Sequence, residues 1–353
     1  MLLKFTKSVI TDISCSVPSI SMDLLEYSKE IGINEDEAIK IIKTTGIKKI
    51  NLTSKKQTSS DLCIAAFKNI VKYNSKNADG IDAIIFVSQT PDYIAPQTSN
   101  ILQHKLGFDS DILTFDFRIG CSGYVYGLLQ ANLLINAGLN KVLLLSGDTS
   151  TKFINKKDKS VSMVFGDAGS ATIIKKNINE ESFFEAGSDG SKHQSLIIKD
   201  GGFRNEINPN SFNEIKISDG IIRSDIDLFM DGMSIMNFAI ERVPNSVERL
   251  LKYSKIRKED VNKLILHQAN EFMLKYLAKK MSFKNSKVPF ESTYYGNTGP
   301  ASIPIALCNL FSKNNIDKTY LRNILLSGFG IGLSWASCIL NLDKTRFHKT
   351  TRN

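Results

Sequence analysis

The feature that most restricts what this chain can fold into is a pattern used twice. KVLLLSGD at 141–148 lines up with RNILLSGF at 322–329, which brings GCSG (120–123) close to GNTG (296–299), each opening an apolar helical stretch. Upstream, AIIFVSQT (83–90) falls near KLILHQAN (263–270). One such match carries little, because short apolar strands resemble one another; three in the same order mark a duplicated α/β fold. DAIIFVS, KVLLLSG, ATIIKK, KLILHQ and NILLSG alternate with amphipathic stretches, as buried strands layered with helices require. We therefore expect an α/β fold of two halves, residues 1–175 and 176–353. The segment from about 176 to 230 has no counterpart in the first half, and KDGGFRNEINPNSFNEIKISDG within it, rich in Gly, Asn and Asp, reads as a surface excursion.

The remaining bounds come from size, charge and cysteine usage. A chain of 353 residues that is 42% hydrophobic can bury a large core, as two domains or as one large duplicated unit. The opening MLLKFTKSVITDISCS alternates like a strand and lacks the h-region and cleavage site of a signal peptide, and no run approaches the roughly 18 apolar residues of a membrane span. Cys15, Cys63, Cys121, Cys308 and Cys338 are scattered without a CxxC pair, which suggests neither a disulfide framework nor a zinc site. A cytoplasmic protein without metal or membrane attachment is the expectation. The net charge of +9 comes from dispersed lysines and arginines, with no arginine-rich run and no aromatic interleaving, which argues against nucleic acid.

Three polar residues stand out against the repeat. Cys121 sits between small residues where an apolar segment turns helical. It reads either as a small buried hydrophobe or as a thiol whose pKa is lowered by a helix N-terminus. Taken singly, Asn297 reads first as a turn or cap residue, and His267, between strand and helix, reads as a satisfied buried histidine before it reads as a catalyst. If the halves superpose about a pseudo-twofold axis, Cys121 and Asn297 occupy equivalent helix starts and His267 emerges from a central strand toward them. That combination suits thioester chemistry, with a thiolate nucleophile and N–H donors for the oxyanion.

Taken together, GCSG around Cys121, LILHQAN around His267, YYGNTGPASIPIAL around Asn297 and GFGIGLSW at 328–335 resemble β-ketoacyl-acyl carrier protein synthase III, of the thiolase-like superfamily. The resemblance runs from TTGI (44–47) through FGDAGSA (165–171) and FMDG (229–232) to the C-terminus. It implies a layered αβαβα arrangement and a homodimer whose acyl pockets are completed across the interface. It also implies a reaction needing no metal or organic cofactor. An acyl group passes from a donor thioester, on coenzyme A or a carrier, to Cys121; malonyl-acyl carrier protein then loses CO2 and attacks it. His267 and Asn297 would hold the malonyl thioester carbonyl. The backbone N–H groups of Cys121 and Ile331 would form the second oxyanion hole, and Phe329 would wall the departing carboxylate. For Phe329 the plain alternative is core packing.

The chain also departs from that family. Phe272 replaces an arginine after HQAN, while Lys279 and Lys280 match a carrier-docking pair and Lys275 lies one turn earlier; the plain reading of all three is a solvated helix face. The Trp and Arg that clamp coenzyme A before TGI are absent from AIKIIKTTGIKK. Ala95, in PDYIAPQTSN, stands where primer-selective relatives place a bulky phenylalanine, leaving room for a longer or branched acyl group. These changes suggest a specialised homologue serving a secondary lipid or glycan acyl group. Two rival readings are an acyltransferase of the same family that does not decarboxylate, and a non-catalytic protein that binds acyl carrier protein.

Overall fold

The structure is a computed structural model that describes residues 1–312 and 317–353. Its strands form two large sheets. The first runs in the order Arg346–Phe347, Ser8–Val17, Ala168–Lys176, Lys141–Asp148, Ala83–Val87, Leu113–Phe117, with Thr351–Arg352 also paired to Ser8–Val17. The second runs Leu2–Phe5, Ser182–Ser188, Ser334–Leu340, Ile324–Gly330, Lys263–Leu266.

The repeat read in the sequence is repeated in the hydrogen bonding. In the first sheet Ser8–Val17, Ala168–Lys176 and Lys141–Asp148 pair antiparallel in turn, and Lys141–Asp148 runs parallel to Ala83–Val87. In the second, Ser182–Ser188, Ser334–Leu340 and Ile324–Gly330 pair antiparallel in turn, and Ile324–Gly330 runs parallel to Lys263–Leu266. Even a polar detail recurs: the hydroxyls of Ser146 and Ser170 meet at 2.7 Å, and those of Ser327 and Ser337 meet at 2.9 Å. The strand-like segments read from the sequence are all strands of these sheets.

Two helices, Gly123–Asn136 and Ser302–Phe311, lie between the sheets, and both are apolar nearly all round, as burial from two sides demands. Tyr124, Leu128 and Ile135 from one, and Ile303, Ile305 and Leu307 from the other, share one core with Ile85 and Leu144 of the first sheet and Ile324 and Leu326 of the second. Glycine lets the first helix approach its sheet: a Cβ on Gly123 would lie 2.4 Å from the Val87 side chain, and one on Gly127 would lie 2.5 Å from Leu144. Ser59–Tyr73 covers the outer face of the first sheet and Gly232–Ser254 that of the second, completing the αβαβα layers.

The chain ends depart from a simple partition. The opening run that reads as one strand is two, Leu2–Phe5 in the second sheet and Ser8–Val17 in the first. Its alternation satisfies either sheet, and Thr6 and Lys7 carry no turn chemistry to mark the break. At the other end, Arg346–Phe347 and Thr351–Arg352 return to the first sheet. The segment 176–230 likewise starts inside the fold: Ser182–Ser188 is a strand of the second sheet in the place that Ser8–Val17 holds in the first. Beyond it, residues 201–210 are exposed throughout, Phe203 at 88%. No helix among the described residues is long and apolar enough to cross a membrane.

Candidate active site

Cys121 lies in the turn that starts the first central helix. Gly123 N–H donates to Gly120 O at 2.7 Å, and Ser122 is the N-cap. The turn is clamped against the second sheet by Ser122 Oγ and Ser334 Oγ, 2.7 Å apart. A Cβ on Gly330 would stand 2.9 Å from Cys121 Cβ and 3.3 Å from its Sγ, so only glycine lets the strand Ile324–Gly330 pass the sulfur this closely. The thiol does not behave as the helix position alone suggests. Burial pushes it up to about 12, Asp148 adds to the rise, and the residue's own backbone N–H opposes both. Desolvation thus outweighs the lowering that a helix start alone would bring.

His267 follows the strand Lys263–Leu266, and its backbone N–H donates to Ser327 O at 2.8 Å. The residue is 2% exposed, and burial drives the imidazole down to about 3, so it is neutral. Nδ1 lies 2.7 Å from Ser302 Oγ, which also accepts from the Gln268 N–H at 3.4 Å. In the tautomer in which the serine hydroxyl donates to Nδ1, the ring proton lies on Nε2. Asn297 is fixed in a parallel way: its Oδ1 accepts from Gly299 N–H at 3.0 Å, which leaves Nδ2 as the uncommitted end. In that tautomer both side chains have the acceptor end taken and the donor end available.

Neighbouring positions on one strand link the cysteine to the histidine. Gly330 abuts Cys121, while Phe329 meets the His267 ring edge-to-face with centroids 5.7 Å apart. Asn297 joins through its own turn: the Ser302 that holds His267 opens the helix following that turn, and a Cβ on Gly299 would stand 2.8 Å from the Asp148 carboxylate. Phe329 is 1% exposed and also packs in the core of the second half, as its plain reading has it. Ile331, next to Gly330, lies over the cysteine turn; a Cβ on Gly120 would come within 2.6 Å of it. Beside this turn a cavity of about 340 Å³ is lined by Gln89, Phe153, Leu196, Leu228, Ile331 and His193.

The remaining expected residues lie away from this center. Ala95 is on an exposed loop with Tyr93 and Ile94, the latter 76% exposed, and does not line the cavity. On the helix Glu271–Lys280, Lys275 is ion-paired with Glu271 at 2.7 Å, whereas Lys279 and Lys280 end the helix exposed. Phe272 and Tyr276, one turn apart on the same side, are exposed too, 55% and 43%. Two residues of the site went unassigned in the sequence. Ser302 sits within a quoted motif with no chemical label of its own. Asp148 ends the first half's repeat strand; it accepts from Ser88 Oγ and Gln89 N–H, and burial raises it to about 7.

Doubled sheets around two buried helices, with a thiol at one helix start and an imidazole and a carboxamide contributed from the other half, define a protein of the thiolase-like class. Comparison with known proteins narrows the class. The family profile for 3-oxoacyl-[acyl-carrier-protein (ACP)] synthase III matches residues 115–190, and that for its C-terminal part matches residues 251–342. A β-ketoacyl-[acyl-carrier-protein] synthase III of Clostridium tetani is 33% identical over 92% of this chain and 95% of its own length. A Campylobacter jejuni relative is also 33% identical, over 97% of this chain and 96% of its own. The crystal structure of a 3-oxoacyl-(acyl-carrier protein) synthase from Burkholderia xenovorans superposes with a TM-score of 0.91 at 33% identity, covering 100% of this chain and 99% of that one. The chain belongs to the 3-oxoacyl-[acyl-carrier-protein] synthase III family, and is an acyl-transferring condensing enzyme.

Proposed function

We propose that the protein condenses an acyl group carried on Cys121 with a malonyl unit delivered by acyl carrier protein, releasing CO2 and a 3-ketoacyl product. The observation that carries this reading is the anchoring of the second-half side chains: Asn297 Oδ1 is engaged by Gly299 N–H and His267 Nδ1 by Ser302 Oγ, which leaves Asn297 Nδ2 and, with the serine donating, His267 Nε2–H as donors. Donors there stabilise a developing enolate, whereas a carboxylate would repel it.

The steps follow from the residues. The Cys121 sulfur attacks the donor thioester carbonyl, and its proton leaves with the departing thiol. Backbone N–H groups of Cys121 and Ile331 hold the tetrahedral oxyanion. The malonyl thioester then binds with its carbonyl toward His267 and Asn297. Its carbon–carboxylate bond breaks, CO2 departs beside the apolar Phe329, and the electron pair moves onto the carbonyl oxygen as an enolate. The enolate carbon attacks the acyl carbon, and collapse of the second tetrahedral species expels the Cys121 thiolate, which takes a proton from solvent. The cavity beside Gln89 and Leu196 would house the acyl chain. In a homodimer the Ala95 loop, exposed in this chain, would close the pocket of the partner subunit, and the small side chain there suits a longer or branched acyl group in a dedicated lipid or glycan acyl pathway.

Lys279 and Lys280 would receive the acidic carrier, and Lys275 contributes less because Glu271 already neutralises it. A cytoplasmic site of action fits the absence of a membrane-spanning helix among the described residues. The test is intact-protein mass after incubation with acetyl, medium-chain and 3-hydroxyacyl donors, with and without malonyl carrier. The proposal requires acyl mass on Cys121 that discharges into ketoacyl carrier; a preference for acetyl-coenzyme A would sink the assignment to longer chains.

A further inference from the structure

A second cleft, of about 370 Å³, shares no lining residue with the cavity beside Cys121. Its sides are the stretch after the short strand Lys49–Leu52, the stretch 151–156, and Ser162 and Phe165. Three lysines, Lys55, Lys152 and Lys156, line it, and among the described residues no carboxylate lines it or pairs with them. The rest of the lining divides into hydroxyls (Thr53, Ser54, Thr151, Ser162) and an apolar or aromatic part (Tyr27, Leu52, Ile154, Phe165).

The hydroxyls are not equivalent. Thr53 and Thr151 both donate to Asp167 Oδ2, at 2.7 and 2.6 Å. Ser162 is only 4% exposed, and its Oγ has no hydrogen-bond partner. A buried hydroxyl left without a partner costs about 1–3 kcal/mol and calls for an explanation, one of which is a ligand atom that the site expects. Lys152 is held in place, its Nζ donating to the backbone carbonyls of Lys55 and Gln57, so one ammonium is fixed at the cleft wall before any ligand arrives. Concentrated positive charge with an unused buried donor and an apolar floor fits an anion attached to an apolar body.

We infer that this cleft binds a phosphorylated small molecule, its phosphoryl group held by Lys55, Lys152, Lys156 and the Ser162 hydroxyl, its organic part lying against Tyr27, Leu52, Ile154 and Phe165. The cleft lies back to back with the cavity beside Cys121, since Ile154 and Phe165 pack in one cluster with Leu196, Leu228 and Ile331, but its lining residues are its own. Phenyl phosphate and inorganic phosphate serve as probes that share the anion and differ in the apolar body, with affinity read by ³¹P NMR titration of the full chain at low ionic strength. Saturable binding of phenyl phosphate is expected, at least about 5-fold tighter than inorganic phosphate, since burying a ring's worth of apolar surface is favourable. Lys55→Ala with Lys156→Ala should weaken it at least about 10-fold, and Ser162→Ala, which removes only an unpaired hydroxyl, about 10-fold, the size of a hydrogen bond to a charged group. Removing two exposed lysines elsewhere, Lys68→Ala with Lys72→Ala, should leave affinity unchanged. Absence of saturable binding, equal affinity for the two probes, or equal losses in the cleft and control variants would overturn the inference.

Discussion

The two halves of this molecule place different chemistry at the same positions. The strand registers make Val87 beside Ser146 the counterpart of Leu266 beside Ser327, so that Ser88 corresponds to His267 and Asp148 to Phe329. The G-x-x-G turns make Cys121 the counterpart of Asn297. In the first half the strand-end pair is Ser88 donating to Asp148 at 2.9 Å, a polar contact turned on itself. In the second half it is an imidazole against a phenyl ring, with a carboxamide where the first half has its thiol. The fold thus supplies one set of backbone positions twice. The first copy carries a thiol and a buried carboxyl, and the second carries an imidazole and a carboxamide beside a phenyl ring.

The largest effect should come from the nucleophile itself. Cys121→Ala is expected to remove the acyl-enzyme and reduce condensation at least about 10³-fold, read by intact mass and product formation, because no second sulfur shares its setting. Changing the donor half should separate the steps. Asn297→Asp, which places a charge where an enolate forms, should cut condensation about 10²–10³-fold while Cys121 still becomes acylated; equal loss of acylation would show that the halves do not divide the work. Ser302→Ala should cost about 10-fold in turnover, since Nδ1 loses its partner and the tautomer is no longer fixed, and Ser302→Thr should restore part of it.

Acid–base behaviour offers a subtler comparison. Asp148 is raised to about 7, so the folded state favours its neutral form; the stability it contributes is present below the unfolded pKa and is lost as pH rises toward 7. Asp148→Asn removes that dependence, and the difference in Tm between variant and native protein should therefore grow in the variant's favour between pH 4 and pH 8. A pH-independent difference would contradict the assignment. His267 acts at the other end: its depressed pKa means the unfolded chain takes up a proton first, and stability is lost as pH falls from about 6.5 toward 3. The smallest effect belongs to the surface. Lys279→Glu with Lys280→Glu should raise KM for malonyl carrier several-fold with little change in kcat, consistent with exposed charges that steer association.

Much of this division could be read from the sequence, and what could not has physical reasons. The repeat was visible because buried strands and G-x-x-G helix starts leave dense local signals, and Cys121, His267 and Asn297, each with a plain structural use when taken singly, stand out only because they fall together at its matching points. Register was harder: aligning AIIFVSQT with KLILHQAN letter by letter sets Val87 against His267, whereas the hydrogen bonding sets Ser88 there. A one-residue slip is invisible in runs that are apolar on both faces. Ser302 and Asp148 escaped because their importance lies in what they touch. The rise of the thiol's pKa escaped as well, since a helix start is legible in letters and desolvation is not.

The central claim is that decarboxylation belongs to the second half and acyl transfer to the first. It is tested most directly by the Cys121→Ala protein, incubated with malonyl carrier and assayed for CO2 release beside His267→Ala. Release that survives loss of the sulfur and disappears with loss of the imidazole is the predicted result. Release that persists undiminished in His267→Ala would contradict the account.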